Sequence, residues 1–357
     1  MDPQLSTLAL AYGADLLIGD PWWFPHPVRG MGLAIEWGER IVRHMIPGER
    51  LAGALLVAFL VGTSYAGTWW LLRASSAPFT VWGFLIGVIL LFSCLSTREL
   101  AIESAQVLQA LEAQDLPRAR QRVARIVGRD THRLDHHEVV RATLETIAES
   151  TLDGILSPLF YFVVGGVPLA VTYKTINTLD SMIGHRSARY IKFGWAAATL
   201  DTAANWIPAR LSAVLFAVAA RLCGCSASTS WRCAWSHHLP APSSAESQNT
   251  PSCVSMDRVL RQSAVGRPRQ VVGWRNRHSG GPVPNACIPE AAMAGALGVR
   301  LGGVNWYEGH AVQMPSMGDP IRPLEPQRIR EALRLMHACS ATGVVVALVA
   351  VLMRRGS

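Results

Sequence analysis

Residues 149–210 read ESTLDGILSPLFYFVVGGVPLAVTYKTINTLDSMIGHRSARYIKFGWAAATLDTAANWIPAR, and the reading of this stretch decides the fold. At its centre Gly154–Tyr173 runs for twenty residues without a charge. At about 1.5 Å per helical residue, such a run is about as long as a bilayer's hydrocarbon core is thick. Polar clusters flank it. Glu149 and Asp153 come before, and Lys174, Asn177, Asp180, Ser181, His185, Arg186, Arg189, Lys192, Asp201, Asn205 and Arg210 follow. Carboxylates and cations beside membrane-length segments are costly and mark a site; the competing reading is an interfacial loop with snorkelling side chains. Pro158, Gly165, Gly166 and Pro168 interrupt the run. They favour a broken or re-entrant helix, which keeps both clusters on one side and lets Glu149, Asp153 and Asp180 meet. A straight crossing would separate them.

Composition points the same way. Half of the 357 residues are hydrophobic and 16% are charged, against about 25% in ordinary soluble domains. The net charge of +8 rests on arginine, since Lys174 and Lys192 are the only lysines. In a membrane protein that balance implies cytoplasmic loops and anionic headgroups rather than nucleic acid, for which no motif is present. The seven cysteines form no paired CxxC and no zinc spacing. No signal peptide opens the chain, because Asp15 and Asp20 interrupt its first apolar region.

Outward from the centre, Leu51–Leu72 and Pro78–Leu95 are uncharged runs joined by a short break, a helical hairpin of two spans. Residues 5–19 are apolar but short. Ile18–Gly32, IGDPWWFPHPVRGMG, is too rich in proline for a regular helix and presents Asp20, His26 and Arg29 near an aromatic interface. Residues 96–150 are polar with helical periodicity, and six arginines between Arg118 and Arg133 read as a solvated basic face on the cytoplasmic side. His132, Asp135, His136, His137 and Glu138 suggest a metal cluster, but without a helical ligand pair they read better as exposed histidines. Residues 223–283 have no periodicity and read as an irregular loop or a segment translated out of frame. From Pro284, proline at a helix start and the small residues Ala291, Ala292, Ala294, Gly295 and Ala296 suit close helix packing. An amphipathic helix over 323–337 and a final span over 338–353 close the chain. The expectation is an all-α, polytopic membrane protein with about four to six transmembrane or re-entrant helices and amphipathic cytoplasmic helices. Its expected divisions are 1–222, 223–283 and 284–357.

GDPWWFPHPVRGMG resembles the opening motif of the adenosylcobinamide-phosphate synthase family, the cobalamin-biosynthesis membrane proteins called CobD or CbiB. ESTLDGILSPLFY, NTLDSMIGHRSARYIKFGWAAATLDTAANWIPARL and PNACIPEAAMAGALGV match its other long motifs in order, over residues 5–222 and 284–335. The resemblance implies a multi-pass inner-membrane ligase that joins adenosylcobyric acid to aminopropanol or its O-phosphate, using ATP and Mg²⁺, with its site facing the cytoplasm. Such chemistry calls for carboxylates on Mg²⁺, cations on the transferring phosphoryl group and a base for the ammonium. On that basis Asp153 and Asp180 are the candidate metal ligands, with Glu149 as third ligand or base. Lys174, Arg186 and Arg210 would serve phosphates or the substrate carboxylate, and Asn177 and Asn205 would orient. Asp20, His26, Arg29, Asn285 and Glu290 are further substrate-binding candidates.

The chain departs from the family pattern before Pro284, with Gly281 and Val283 where His and Ser are expected, and Cys287 where Gly is expected. An inactive copy is therefore one alternative. Another is a membrane sensor of the AmpE type, which lacks the NTLDSMIG and PNxxxPEAAMAG signatures present here. A transporter would show internal repeats, and none is seen.

Overall fold

The computed structural model describes residues 3–20, 27–75, 80–185, 187, 189–236 and 285–356. Among them the chain runs α1 (Pro3–Leu17), α2 (Pro27–Met45), α3 (Glu49–Ser75), α4 (Thr80–Cys94), α5 (Thr97–Glu112), α6 (Leu116–Val123) and α7 (His136–Thr151). A π-helical turn, Leu152–Leu156, leads into α8 (Ser157–Ile183), α9 (Trp195–Ala204), α10 (Trp206–Leu222) and α11 (Ala227–Ser236). The described chain resumes with α12 (Cys287–Leu297), β1 (Leu301–Tyr307), β2 (His310–Met317) and α13 (Pro326–Gly356). The all-α expectation stands, with one two-stranded ribbon that the sequence reading left out.

Packing divides the chain into two compact units, and each gathers separated stretches. Unit 1 takes Met1–Leu100, Ser150–Ala209 and Ser340–Ser357; unit 2 takes Ala101–Glu149 and Arg210–Cys339. The sequential division expected at residues 222 and 283 is replaced by this interleaved one, because helices pack on returning segments rather than on their neighbours in sequence. The irregular region also contracts. Residues 227–236 are helical, as α11, and residues 237–284, which include Gly281 and Val283, lie outside the described residues. The amphipathic helix and last span expected separately after residue 323 form the single helix α13.

Among the described residues four helical segments are long and apolar enough to cross a membrane: Glu49–Ser75, Val81–Glu112, His136–Ile183 and Pro326–Arg354. The pair α9 and α10, bent by 45°, makes a possible fifth. His136–Ile183 qualifies by length and composition, yet it is not one straight rod. Gly165 (φ −146°, ψ 22°) and Gly166 (φ 69°, ψ −162°) leave helical geometry in the middle of α8. Gly166 occupies a backbone region closed to side chains with a Cβ. Arg354 donates to the Val163 and Val164 carbonyls that the break leaves without helical partners. The two arms fold back on each other. Tyr161 and Tyr173 stack with ring centroids 5.0 Å apart, whereas twelve residues of straight helix would separate them by about 18 Å. The broken form expected from Pro158, Gly165, Gly166 and Pro168 is what the chain adopts.

Around this hairpin unit 1 packs α2, α3, α4 and α9. Its core joins Ile35, Leu56, Val57, Leu179, Ile183 and Phe193. Outward faces of α3 and α4 carry Phe59, Trp69, Trp70, Val81 and Trp82 exposed, the surface that lipid tails and headgroups accept.

In unit 2, α7 starts on a reciprocal cap. Asp135 Oδ1 accepts the Glu138 amide at 2.8 Å, and Glu138 Oε2 accepts the Asp135 amide at 3.1 Å. The supposed metal cluster is thus a helix start, and His132 and His137 are exposed. Next, α11 lies against α12 as the small residues there predicted: a Cβ on Gly295 would sit 2.5 Å from the Thr229 carbonyl, and Ser230 donates to the Ala292 carbonyl. The β-ribbon turns at Glu308 and Gly309, both with positive φ. A bulge at Gly302, where a Cβ would clash with the Pro315 carbonyl at 1.9 Å, turns that residue's amide and carbonyl out of the ladder.

Candidate functional site

The α8 fold-back builds the polar centre of unit 1. Asp153 lies in the π-helical turn and Tyr173 twenty residues later, yet the Tyr173 hydroxyl stands 3.4 Å from Asp153 Oδ1 and 2.9 Å from Asn205 Oδ1. Ser157 donates to the same Asn205 oxygen at 2.7 Å, and the Asn205 amide donates to both Asp201 oxygens at 3.2 Å. Asn205 is buried and holds the Tyr173 hydroxyl beside the Asp153 carboxylate. Next to Tyr173, the Lys174 ammonium interacts electrostatically with the Cys94 thiol and with the Asp153 and Asp15 carboxylates. Asp15 is fixed in turn, because its Oδ2 accepts the Thr97 amide at 3.0 Å, where the first turn of α5 favours a negative charge. Asn177 and Asp180 continue the Lys174 face of α8 at three-residue steps. Asp180 lies at the α8 C-terminus, where its charge interacts with His185.

Unit 2 carries a half-open cavity of about 190 Å³ whose walls include Arg129, Glu145, Glu149, Cys287, Glu290, Gly302, Asn305 and Tyr307. Its frame is an ion-pair cluster. Arg129 donates to Glu145 Oε2 at 2.6 Å and also to Asn305 Oδ1. Arg141 donates to Glu145 Oε1 at 3.3 Å, to the Gly302 carbonyl at 2.5 Å and to the Val304 carbonyl at 3.0 Å. The Gly302 amide, turned out by the bulge, donates to Glu145 Oε1 at 2.8 Å. Behind this frame Glu290 is buried in the first turn of α12. Burial, reinforced by the Glu145 and Glu149 charges, holds its carboxyl well above the usual carboxylate range, against the pull of Arg129 and Arg141. The Cys287 thiol is pushed up by burial and then by the same three carboxylates. Burial also raises the Tyr307 phenol.

The structure therefore distributes the expected site residues. Asp153, Lys174 and Asn205 meet in unit 1. Glu149 and Glu290 line the unit 2 cavity. Asp180 and Asn177 lie further along α8, and Arg210 is half-buried at the unit 2 end of α10. Asn285 precedes α12 by two residues. Asp20 and Arg29 form an ion pair at 3.3 Å. His26 and Arg186 lie outside the described residues. Among the described residues no three His, Cys, Asp or Glu side chains converge as a metal site. A nucleotide-borne Mg²⁺ needs only one or two protein carboxylates beside phosphates and water, which Asp153 satisfies.

Sequence reading missed Asp15, Ser157, Tyr173, Arg129, Arg141, Glu145, Asn305 and Tyr307. It placed Arg129 on a solvated face, whereas its side chain is 6% exposed. Two signals were present: Asp15 inside an apolar segment, and Arg141 one helical turn before Glu145.

Fold and polar centre together define a polytopic membrane protein that keeps charged and hydrogen-bonding groups inside a re-entrant hairpin. The chain belongs to the CobD/Cbib protein family, whose model matches residues 8–336. It is 41% identical over 335 residues to the cobalamin biosynthesis protein CobD of Geobacter metallireducens, covering 94% of this chain and 93% of that one. It is 36% identical over 344 residues to the cobalamin biosynthesis protein CbiB of Salmonella typhimurium, covering 96% and 95%. The Pelobacter propionicus CobD is 36% identical over 356 residues, covering 100% and 98%. No solved structure matches the chain.

Proposed function

We propose that this protein serves cobalamin biosynthesis as a membrane ligase, joining the carboxylate of adenosylcobyric acid to aminopropanol or its O-phosphate at the expense of ATP. Family membership across nearly the whole chain supports the pathway. The observation that carries the chemistry is the Lys174 ammonium acting electrostatically with the Asp153 and Asp15 carboxylates within apolar helices, Asp153 being the carboxylate beside the Tyr173–Asn205 pair. A cation fixed in such surroundings acts strongly on negative oxygens, because little water screens it. In the reaction a corrinoid carboxylate oxygen attacks the γ-phosphorus of ATP, and ADP leaves. The amine nitrogen, having lost a proton, then attacks the acyl carbon, and inorganic phosphate leaves with the C–O electron pair.

Lys174 steadies the carboxylate and the phosphoryl oxygens, and Arg186 and Arg210 are further candidate cations for these groups. Tyr173, held by Asn205, positions the Asp153 carboxylate. Mg²⁺ would supply charge neutralisation on the phosphates, and Asp153 and Asp180 are the carboxylates that would hold it. Glu149 accepts the proton of the amine. Asn177 orients the nucleotide or corrinoid, while Asp20, His26, Arg29 and Asn285 contact substrate. The six arginines of residues 118–133, against the single acidic Asp130, favour a cytoplasmic position for that side, in a cell whose inner membrane holds the spans.

The test uses full-length protein in detergent with adenosylcobyric acid, ATP, Mg²⁺ and aminopropanol phosphate, read by mass spectrometry. ATP-dependent amidated corrinoid is expected. Folded protein that forms none overturns the reading. Asp153→Asn should raise the Mg²⁺ requirement, and an unchanged Mg²⁺ titration removes Asp153 from the ligand set.

A further inference from the structure

The unit 2 cavity holds one carboxyl more than its own structure uses. Glu145, Glu149 and Glu290 face two guanidiniums, and both guanidiniums are committed to Glu145, to Asn305 and to the Gly302 and Val304 carbonyls. Both Glu145 oxygens are filled, one by Arg129 and the other by Arg141 and the Gly302 amide. Glu290 differs. Its side chain lines the cavity with a relative exposure of 9%, and among the described residues no side chain or amide hydrogen-bonds its carboxyl. Both arginines pair with Glu145, and they reach Glu290 through their charge alone, without a hydrogen bond to its carboxyl. Burial and the neighbouring carboxylates disfavour its charged form, and a cation that comes close would favour it.

Size and geometry narrow the cation. About 190 Å³ is below the range of drug-sized pockets and suits a molecule of several heavy atoms better than a whole corrinoid or nucleotide. Among the described residues the carboxylates do not converge closely enough to form a metal cage. A larger cation that donates hydrogen bonds in several directions suits them better, and a primary ammonium has three such donors. We propose that this cavity binds the ammonium group of a small primary amine between Glu149 and Glu290, with Asn305 and Tyr307 meeting the amine's polar substituent. This rests on the amide-forming reading, in which a primary amine is the nucleophile, and it assigns that amine its place.

Glu290 then ionises as the ammonium binds. The groups facing it are Arg129, Arg141, Glu145 and Glu149, with Cys287 and Tyr307 on the cavity wall. The thiol and phenol are both raised away from neutral pH, so the proton released at pH 7 comes from Glu290.

The experiment is calorimetric titration of the full-length protein in detergent with 1-amino-2-propanol, without ATP or corrinoid, in two buffers of different ionisation enthalpy. Wild type should bind and release close to one proton per amine. Glu290→Gln should bind at least tenfold more weakly and release none. Should that variant not fold, Glu290→Asp should bind more weakly yet still release the proton. Absence of binding by folded wild type, or unaltered binding and proton release in Glu290→Gln, overturns the site. Amine binding lost in Glu290→Gln, in a wild type that forms no amidated corrinoid, keeps the site and removes the ligase reading. ATP-dependent product with an unchanged KM for the amine in Glu290→Gln does the reverse.

Discussion

Units 1 and 2 both bury ionisable groups, and they do so by opposite means. In unit 1 the polar centre is stitched by neutral hydroxyl and amide groups, Ser157, Tyr173 and Asn205, around Asp153 and Lys174. In unit 2 the frame is charge against charge, with Glu145 gripped by Arg129, Arg141 and a backbone amide. Membrane-length helices tolerate few charges, so unit 1 positions its few with groups that cost little to bury once paired. Unit 2 gathers three carboxylates and two guanidiniums, and burial with its acidic neighbours raises the odd carboxyl well above the usual carboxylate range. One centre is thus organised around a lysine, the other around an acid awaiting a cation.

That contrast is open to attack by substitution. Glu145→Ala should have the largest effect, since it strands two guanidiniums around the unit 2 frame: a loss of about 3–5 kcal/mol, read by thermal unfolding in detergent. A loss under about 1 kcal/mol would mean the frame is not charge-balanced as described. Lys174→Met should leave unfolding nearly unchanged but cut amide formation by about 10²–10³-fold. Retained turnover would move the chemistry away from unit 1. Gly166→Ala should destabilise by about 1–3 kcal/mol, because alanine resists the backbone angles that fold α8 back. An unaffected variant would show that the hairpin does not need them.

The smallest effect belongs to Glu290. Its folded carboxyl sits above its unfolded value, so the folded state binds the extra proton. Stability from this group is full below the ordinary carboxylate range of about 4.3 and falls by about 1.4 kcal/mol per pH unit as pH rises towards the raised folded value. Glu290→Gln should remove that slope. A wild-type unfolding midpoint as flat with pH as that of the variant would deny Glu290 its neutral state.

Much of this was legible before any coordinates. Uncharged runs of membrane length marked the spans, and two adjacent glycines flanked by prolines marked the α8 break. The small residues after Pro289 signalled close packing on a neighbour. What stayed hidden were residues whose meaning lies in a distant partner. Arg129 looked like one of six surface arginines because nothing local distinguishes it, and Asn305 reaches it through a ribbon 176 residues away. The β-ribbon escaped because its bulge and glycine-rich first strand break the strict alternation that betrays a strand.

By itself the sequence determined the helical, membrane-spanning class, the re-entrant break and the family to which the chain belongs. Each of these rests on composition, short-range periodicity or contiguous motifs, which are properties of neighbours in the chain. Only the tertiary structure decided which groups meet: Asp153 with Tyr173 across the fold-back, Glu145 with Arg129 and the Gly302 amide, and Glu290 lining a cavity with no hydrogen bond to its carboxyl among the described residues. Electrostatic and hydrogen-bonding energies depend on separation in space and on burial, and neither is written in the spacing of residues along the chain.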